Sequence, residues 1–79
     1  MEQGAQSIYR TVAVLMAVAD RNREGAGMSD VAAATGLTSP TVHRILRALT
    51  NLGLVIQTGS RRYALGPIVY DLGLTAAPR

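Results

Sequence analysis

The sequence predicts a mainly α-helical domain with one small β-hairpin, and three observations carry that prediction. Apolar residues recur every three or four positions from Ile8 to Ala19 and again from Val42 to Leu52. Between these stretches lies a short run of small residues, Val31 to Ala34, bounded by Ser29 and Gly36 as helix start and stop signals. After Gly53, two β-prone runs, Leu54 to Gln57 and Arg61 to Leu65, flank the turn-forming Thr58-Gly59-Ser60. The order helix, short helix, tight turn, longer helix, hairpin is that of a winged helix-turn-helix.

Residues 1–6 read as a disordered polar start, and helix 1 is expected from Ser7 to Arg21. At about 100° per residue, Ile8, Val12, Leu15, Met16 and Ala19 share one side, which is assigned to the core. Val14 and Val18 project away from it beside Ala13 and Ala17. That second apolar face either meets a dimer mate or a neighbouring domain, or is ordinary scattered surface valine. Glu24-Gly25-Ala26-Gly27 forms a turn, Ser29 is the expected N-cap of helix 2, and Asp30 sits favourably against the helix dipole. Gly36 supplies the left-handed position that ends helix 2, and Leu37 plugs the turn. Helix 3 is expected over 40–52, with Thr38 or Ser39 as cap, Pro40 in the first helical position and Gly53 as the stop. It hides Val42, Ile45, Leu46, Leu49 and Leu52. The wing spans 55–65, so the domain covers 7–66. Gly66-Pro67 then opens a last helix from Ile68, read as the start of a linker helix within 67–79.

Composition narrows the possible functions. Seventy-nine residues make one small domain, near the size at which a single core yields only a few kcal/mol and a partner chain helps. There is no cysteine and only one histidine, so neither a disulfide framework nor a metal site is expected, no cofactor is implied, and a cytoplasmic location fits. The apolar run Thr11 to Ala19 ends in a small-x-small pattern, but Glu2 cancels Arg10, and the run exits into Asp20-Arg21-Asn22-Arg23-Glu24. Those flanks argue against a signal peptide, and nine residues cannot span a bilayer that requires about 20. No carboxylate pair and no nucleophile with a base stand out, so catalysis is not expected.

The formal charge is only +3, but from Val31 to Tyr70 there are four arginines, Arg44, Arg47, Arg61 and Arg62, and no acid. Such a segment attracts polyanions, or is simply a solvated face. Helix 3 leaves Pro40, Arg44, Arg47 and Asn51 outward, with Thr41 and His43 on the flanks. Arginine can donate twice to guanine O6 and N7, so Arg44 is a base reader, with phosphate contact or an internal ion pair as the other uses. Arg47, one turn deeper, suits phosphate. Ser39 and Thr41 are phosphate donors unless Ser39 is consumed as a cap, and His43 either contacts nucleic acid or is a packed or solvated side chain. Arg61 and Arg62 stand together at the hairpin tip, where they can follow a minor groove or act as a charged edge against aggregation. Tyr63 reads as strand-face packing rather than a stacking platform.

Gly36-Leu37, then Thr41-Val42-His43-Arg44-Ile45-Leu46, Leu49, Leu52-Gly53 and Arg62-Tyr63-Ala64-Leu65-Gly66 together resemble the N-terminal domain of the isocitrate lyase regulator (IclR) family. The resemblance covers about Ser7 to Leu74. It implies a transcriptional regulator, a repressor or an activator, that binds double-stranded operator DNA as a dimer or tetramer. It also implies a linker helix leading to a larger effector-binding domain outside these residues, so a small-molecule effector would act only through that domain. Ser39 stands where members often carry Lys, and Pro40 where they often carry Ser; the first difference removes a phosphate contact. The expected function is therefore sequence-specific DNA binding, with homodimerisation through the second apolar face of helix 1 and the C-terminal helix and no membrane partner. The competing reading is a winged-helix module for protein association, its positive charge incidental.

Overall fold

The computed structural model describes residues 3–76 and 78. Four helices and one hairpin follow in order: α1 (Gln3–Asp20), α2 (Met28–Thr35), α3 (Ser39–Asn51), β1 (Val55–Gln57), β2 (Tyr63–Leu65) and α4 (Pro67–Thr75). This is the expected winged helix-turn-helix. The strands pair antiparallel with Val55 opposite Leu65, Ile56 opposite Ala64 and Gln57 opposite Tyr63. A further rung joins the wing to the body, because Ala26 and Tyr63 exchange both backbone hydrogen bonds at 2.8 Å. No helix among the described residues is long and apolar enough to cross a membrane.

The core is made of Val14, Ala17, Val18, Ala26, Val31, Val42, Leu46, Leu49 and Val55, and no polar or charged described residue is buried with them. Small side chains dominate because three helices and a strand must meet closely in a domain this size. Leu46 is the largest of those with no exposed surface. At ~25 cal/mol per Å² its burial alone is worth about 2 kcal/mol.

Helix α1 corrects the sequence reading in two ways. It begins by Gln3, so most of the expected disordered start is helical; Met1 and Glu2 lie outside the described residues. Its faces are also exchanged, so the Val14 and Val18 face expected to meet a dimer mate is instead part of the core of the chain itself. Val14, Ala17 and Val18 are buried, while Ile8, Val12 and Met16, assigned to the core, are exposed at 65%, 51% and 58%. Leu15 and Ala19 are only half-buried. Periodicity cannot choose between two apolar faces; the choice is made by which face of α1 meets α2, α3 and β2, and that face carries Val14, Ala17 and Val18. From Gly4 to Ala13 no residue of α1 is buried.

The start of α2 moves as well. Gly27 is the N-cap and Met28 the first helical residue, so Ser29 lies inside the first turn and caps nothing. Asp30 takes over the role, its carboxylate accepting the Gly27 N–H at 2.9 Å. Gly36 ends the helix at φ 73°, and its N–H reaches the Ala32 carbonyl. Helix α3 starts at Ser39 with Thr38 as N-cap and Pro40 in the first turn, and Gly53 follows it at φ 77°.

The closing Leu65-Gly66 has a steric reason. Gly66 donates its N–H to the Leu54 carbonyl at 2.9 Å, and a β-carbon there would overlap the Gly53 carbonyl. Two backbones thus touch where the hairpin closes, and only glycine allows it. From this point α4 departs with none of its residues buried.

Candidate nucleic-acid interface

Helix α3 is strongly two-sided. Val42, Leu46 and Leu49 anchor it in the core, and Ile45 is half-buried. That packing turns Ser39, Pro40, His43, Arg44, Arg47 and Asn51 to solvent, with Thr41 half-exposed at the helix start. Among the described residues Arg44 forms no ion pair: the only two salt bridges involve Arg21 and Arg62. An exposed, unpaired guanidinium in mid-helix is available to an outside acceptor.

The start of α3 is equally open to an anion. Thr38 makes no side-chain cap, so the amides of Ser39 and Thr41 meet no capping side-chain oxygen. The Thr38 hydroxyl instead donates to the Thr41 hydroxyl at 3.0 Å. Thr41, thus engaged as acceptor, keeps its own proton to donate outward.

The wing separates two residues that the sequence reading paired. Its tip runs Thr58 to Arg62, closed by the Thr58 N–H on the Arg62 carbonyl at 2.7 Å. Arg61 occupies the left-handed region at φ 62°, a place usually given to glycine in this hairpin type. The strand accordingly begins at Tyr63 rather than at Arg61. Arg61 is exposed and unpaired among the described residues. Arg62 folds back: its Nη1 lies 3.6 Å from the Asp30 carboxylate and donates to the Gly25 carbonyl at 3.2 Å. Arg21 reaches the same carboxylate at 4.0 Å. Asn22, also unanticipated, accepts the Leu65 N–H on its side-chain oxygen at 2.6 Å.

Between α3 and the hairpin lies a crevice of about 220 Å³ lined by His43, Arg47, Thr50, Asn51, Gln57 and Tyr63. Four of these recur along one flank of α3, and the other two are a cross-strand pair of the wing. No group of acids, histidines or cysteines suited to a metal ion occurs among the described residues.

A helix-turn-helix whose second helix presents exposed arginines, followed by a hairpin that brings another alongside, defines the winged helix-turn-helix class of DNA-binding domains. Comparison with known proteins narrows the class. Residues 7–59 match the IclR helix-turn-helix domain, and the chain belongs to that family. A glycerol operon regulatory protein of Streptomyces coelicolor is 41% identical over 76 residues, covering 95% of this chain and 30% of the relative. Its namesake in Streptomyces griseus is 40% identical over 92% of the chain and 29% of the relative. An IclR-type transcriptional regulator from Alicyclobacillus acidocaldarius superposes with TM-score 0.80 at 31% identity, covering 91% of this chain and 29% of that one. The chain therefore spans less than a third of the length of these relatives, and it is a DNA-binding domain of the transcription-regulator kind.

Proposed function

We propose that the domain reads a specific double-stranded DNA sequence by laying α3 in the major groove. The exposure of Arg44 without an internal partner, at the centre of the face opposite Leu46, carries this reading. Arg44 donates to a base edge, Arg47 and Thr41 to phosphates on either side, and the open start of α3, with Ser39 and Pro40, approaches the backbone. His43 and Asn51 complete the contact face. Arg61 supplies the wing contact, while Arg62 holds the wing in place from inside.

The same reading assigns the uncovered apolar surface to a second copy of the chain. Ile8, Tyr9, Val12 and Met16 form an exposed stripe along α1, and Ile68, Tyr70, Leu72 and Leu74 leave α4 apolar and uncovered. A two-fold pairing of these helices would bury both and set two copies of α3 on successive half-sites. An effector, as in whole regulators, would act through a separate domain.

Titrating a fluorescent duplex with the protein at rising salt tests the proposal. DNA binding through several phosphates requires affinity to fall steeply as salt rises, and a selected site must outcompete random duplex. Salt-independent or undetectable binding would favour the protein-association reading instead.

A further inference from the structure

We infer that the crevice between α3 and the hairpin is a seat for one phosphodiester of the bound DNA, and that Gln57 and Tyr63 belong to the interface. The inference rests on the DNA-binding reading and adds two uncharged residues that the charge pattern does not point to. If α3 occupies a major groove and the hairpin overlies the adjacent minor groove, one sugar-phosphate strand separates the two grooves. That strand must cross the surface between the two elements, and this surface is the crevice.

Its chemistry suits that occupant. Arg47, His43, Asn51, Gln57 and Tyr63 all carry N–H or O–H donors, and no carboxylate lines the space. Thr50 is a wall rather than a donor, because its hydroxyl already donates to the Leu46 carbonyl at 2.7 Å. At about 220 Å³ the crevice falls below the roughly 300–1,000 Å³ of sites that take drug-sized ligands. Donor-bearing side chains around a small space, with one fixed positive charge, suit an anionic oxygen pair better than a base edge. Gln57 is exposed at the end of β1, and Tyr63, half-buried, is held on both sides by its pairing with Ala26 and Gln57. The wing therefore reaches the phosphate with rigid backbone behind it, which lowers the ordering cost of the contact.

The test uses the whole chain and the tightest duplex from a random-sequence selection. Gln57→Ala and Tyr63→Phe should each weaken binding by about 5- to 10-fold on selected and random duplex alike, with thermal melting unchanged for Gln57→Ala. Replacing backbone phosphates one at a time by uncharged methylphosphonate should reveal a single position whose neutralisation weakens the parent protein. At that position Gln57→Ala, Tyr63→Phe and Arg47→Ala should cost little more. Folded variants that bind like the parent, or that change base preference instead of overall affinity, would overturn the crevice assignment and leave DNA binding intact. A parent protein without salt-dependent DNA affinity would overturn both.

Discussion

Arg62 and Asp30, 32 positions apart in sequence, meet with Nη1 3.6 Å from Oδ2, and this pair fastens the wing to the start of α2. The same carboxylate caps Gly27, and the same guanidinium holds the Gly25 carbonyl. Both side chains are partly solvated, so each ion pair contributes well under 1 kcal/mol, and the cap contributes about 1 kcal/mol. Asp30→Ala should therefore lower unfolding free energy by about 1–2 kcal/mol in a urea melt. An unchanged midpoint would show that the node holds nothing.

The two tip arginines should part company in a salt titration. Arg61→Ala should reduce the slope of log affinity against log salt by about 0.9 with no loss of stability, because it removes one exposed phosphate contact. Arg62→Ala should lower the melting temperature and leave the slope nearly intact. Arg61→Gly sharpens the comparison, since glycine relieves a left-handed cost of about 1 kcal/mol while removing the charge, so stability should rise as affinity falls. Equal slopes for the Arg61 and Arg62 variants would mean that both arginines face DNA.

Arg44→Ala should cost about 1–3 kcal/mol on the selected site and relax one base position, whereas random duplex should lose far less. The ratio of the two affinities is the measurement. A constant ratio would reassign Arg44 to the backbone and leave base reading to its neighbours on α3.

How much of this could be read beforehand depended on how one-sided each element is. Helix α3 has one apolar face and one polar face, so Val42, Leu46, Leu49 and its exposed arginines followed from spacing alone; Leu52, expected on the hidden side, is 66% exposed because the helix ends at Asn51 before it. Helix α1 is apolar on two sides, and only its long-range packing against α2, α3 and β2 selects Val14 and Val18 over Ile8 and Met16. Ser29 looks like a cap by residue type, yet Asp30 is the residue whose carboxylate reaches the Gly27 N–H. The engagement of Arg62 and the gathering of Gln57 and Tyr63 beside His43 and Arg47 arise from chain closure over long separations. No local pattern announces such contacts.

Gly66→Ala isolates one steric contact. The backbone there is ordinary, with φ −92°, so a methyl group brings no conformational strain of its own and only the collision with the Gly53 carbonyl remains. Because backbone rather than a flexible side chain stands in the way, the cost should be about 3 kcal/mol, with the hairpin displaced from α3. Gly59→Ala, at a tip with open space around it, is the matched control. If both variants melt together, the close approach of Gly53 and Gly66 is not what closes the wing.

The exchanged faces of α1 predict opposite outcomes for two residues on one helix. Val18 is fully buried, and Val18→Ala should cost about 2 kcal/mol at any protein concentration, because it opens a cavity within a single chain. Met16 is 58% exposed, and Met16→Glu should change the stability of the isolated chain by less than about 0.5 kcal/mol. If the stripe of Ile8, Tyr9, Val12 and Met16 seats a second copy, that glutamate must desolvate against the partner's apolar stripe, and sedimentation should show the dimer fraction falling at least tenfold in apparent association constant. Loss of one dimer per half-site pair should also reduce affinity for a two-fold operator much more than for a single half-site. A Met16→Glu protein that still sediments as the parent does would place the contact between copies elsewhere, with the uncovered α4 as the surface to alter next.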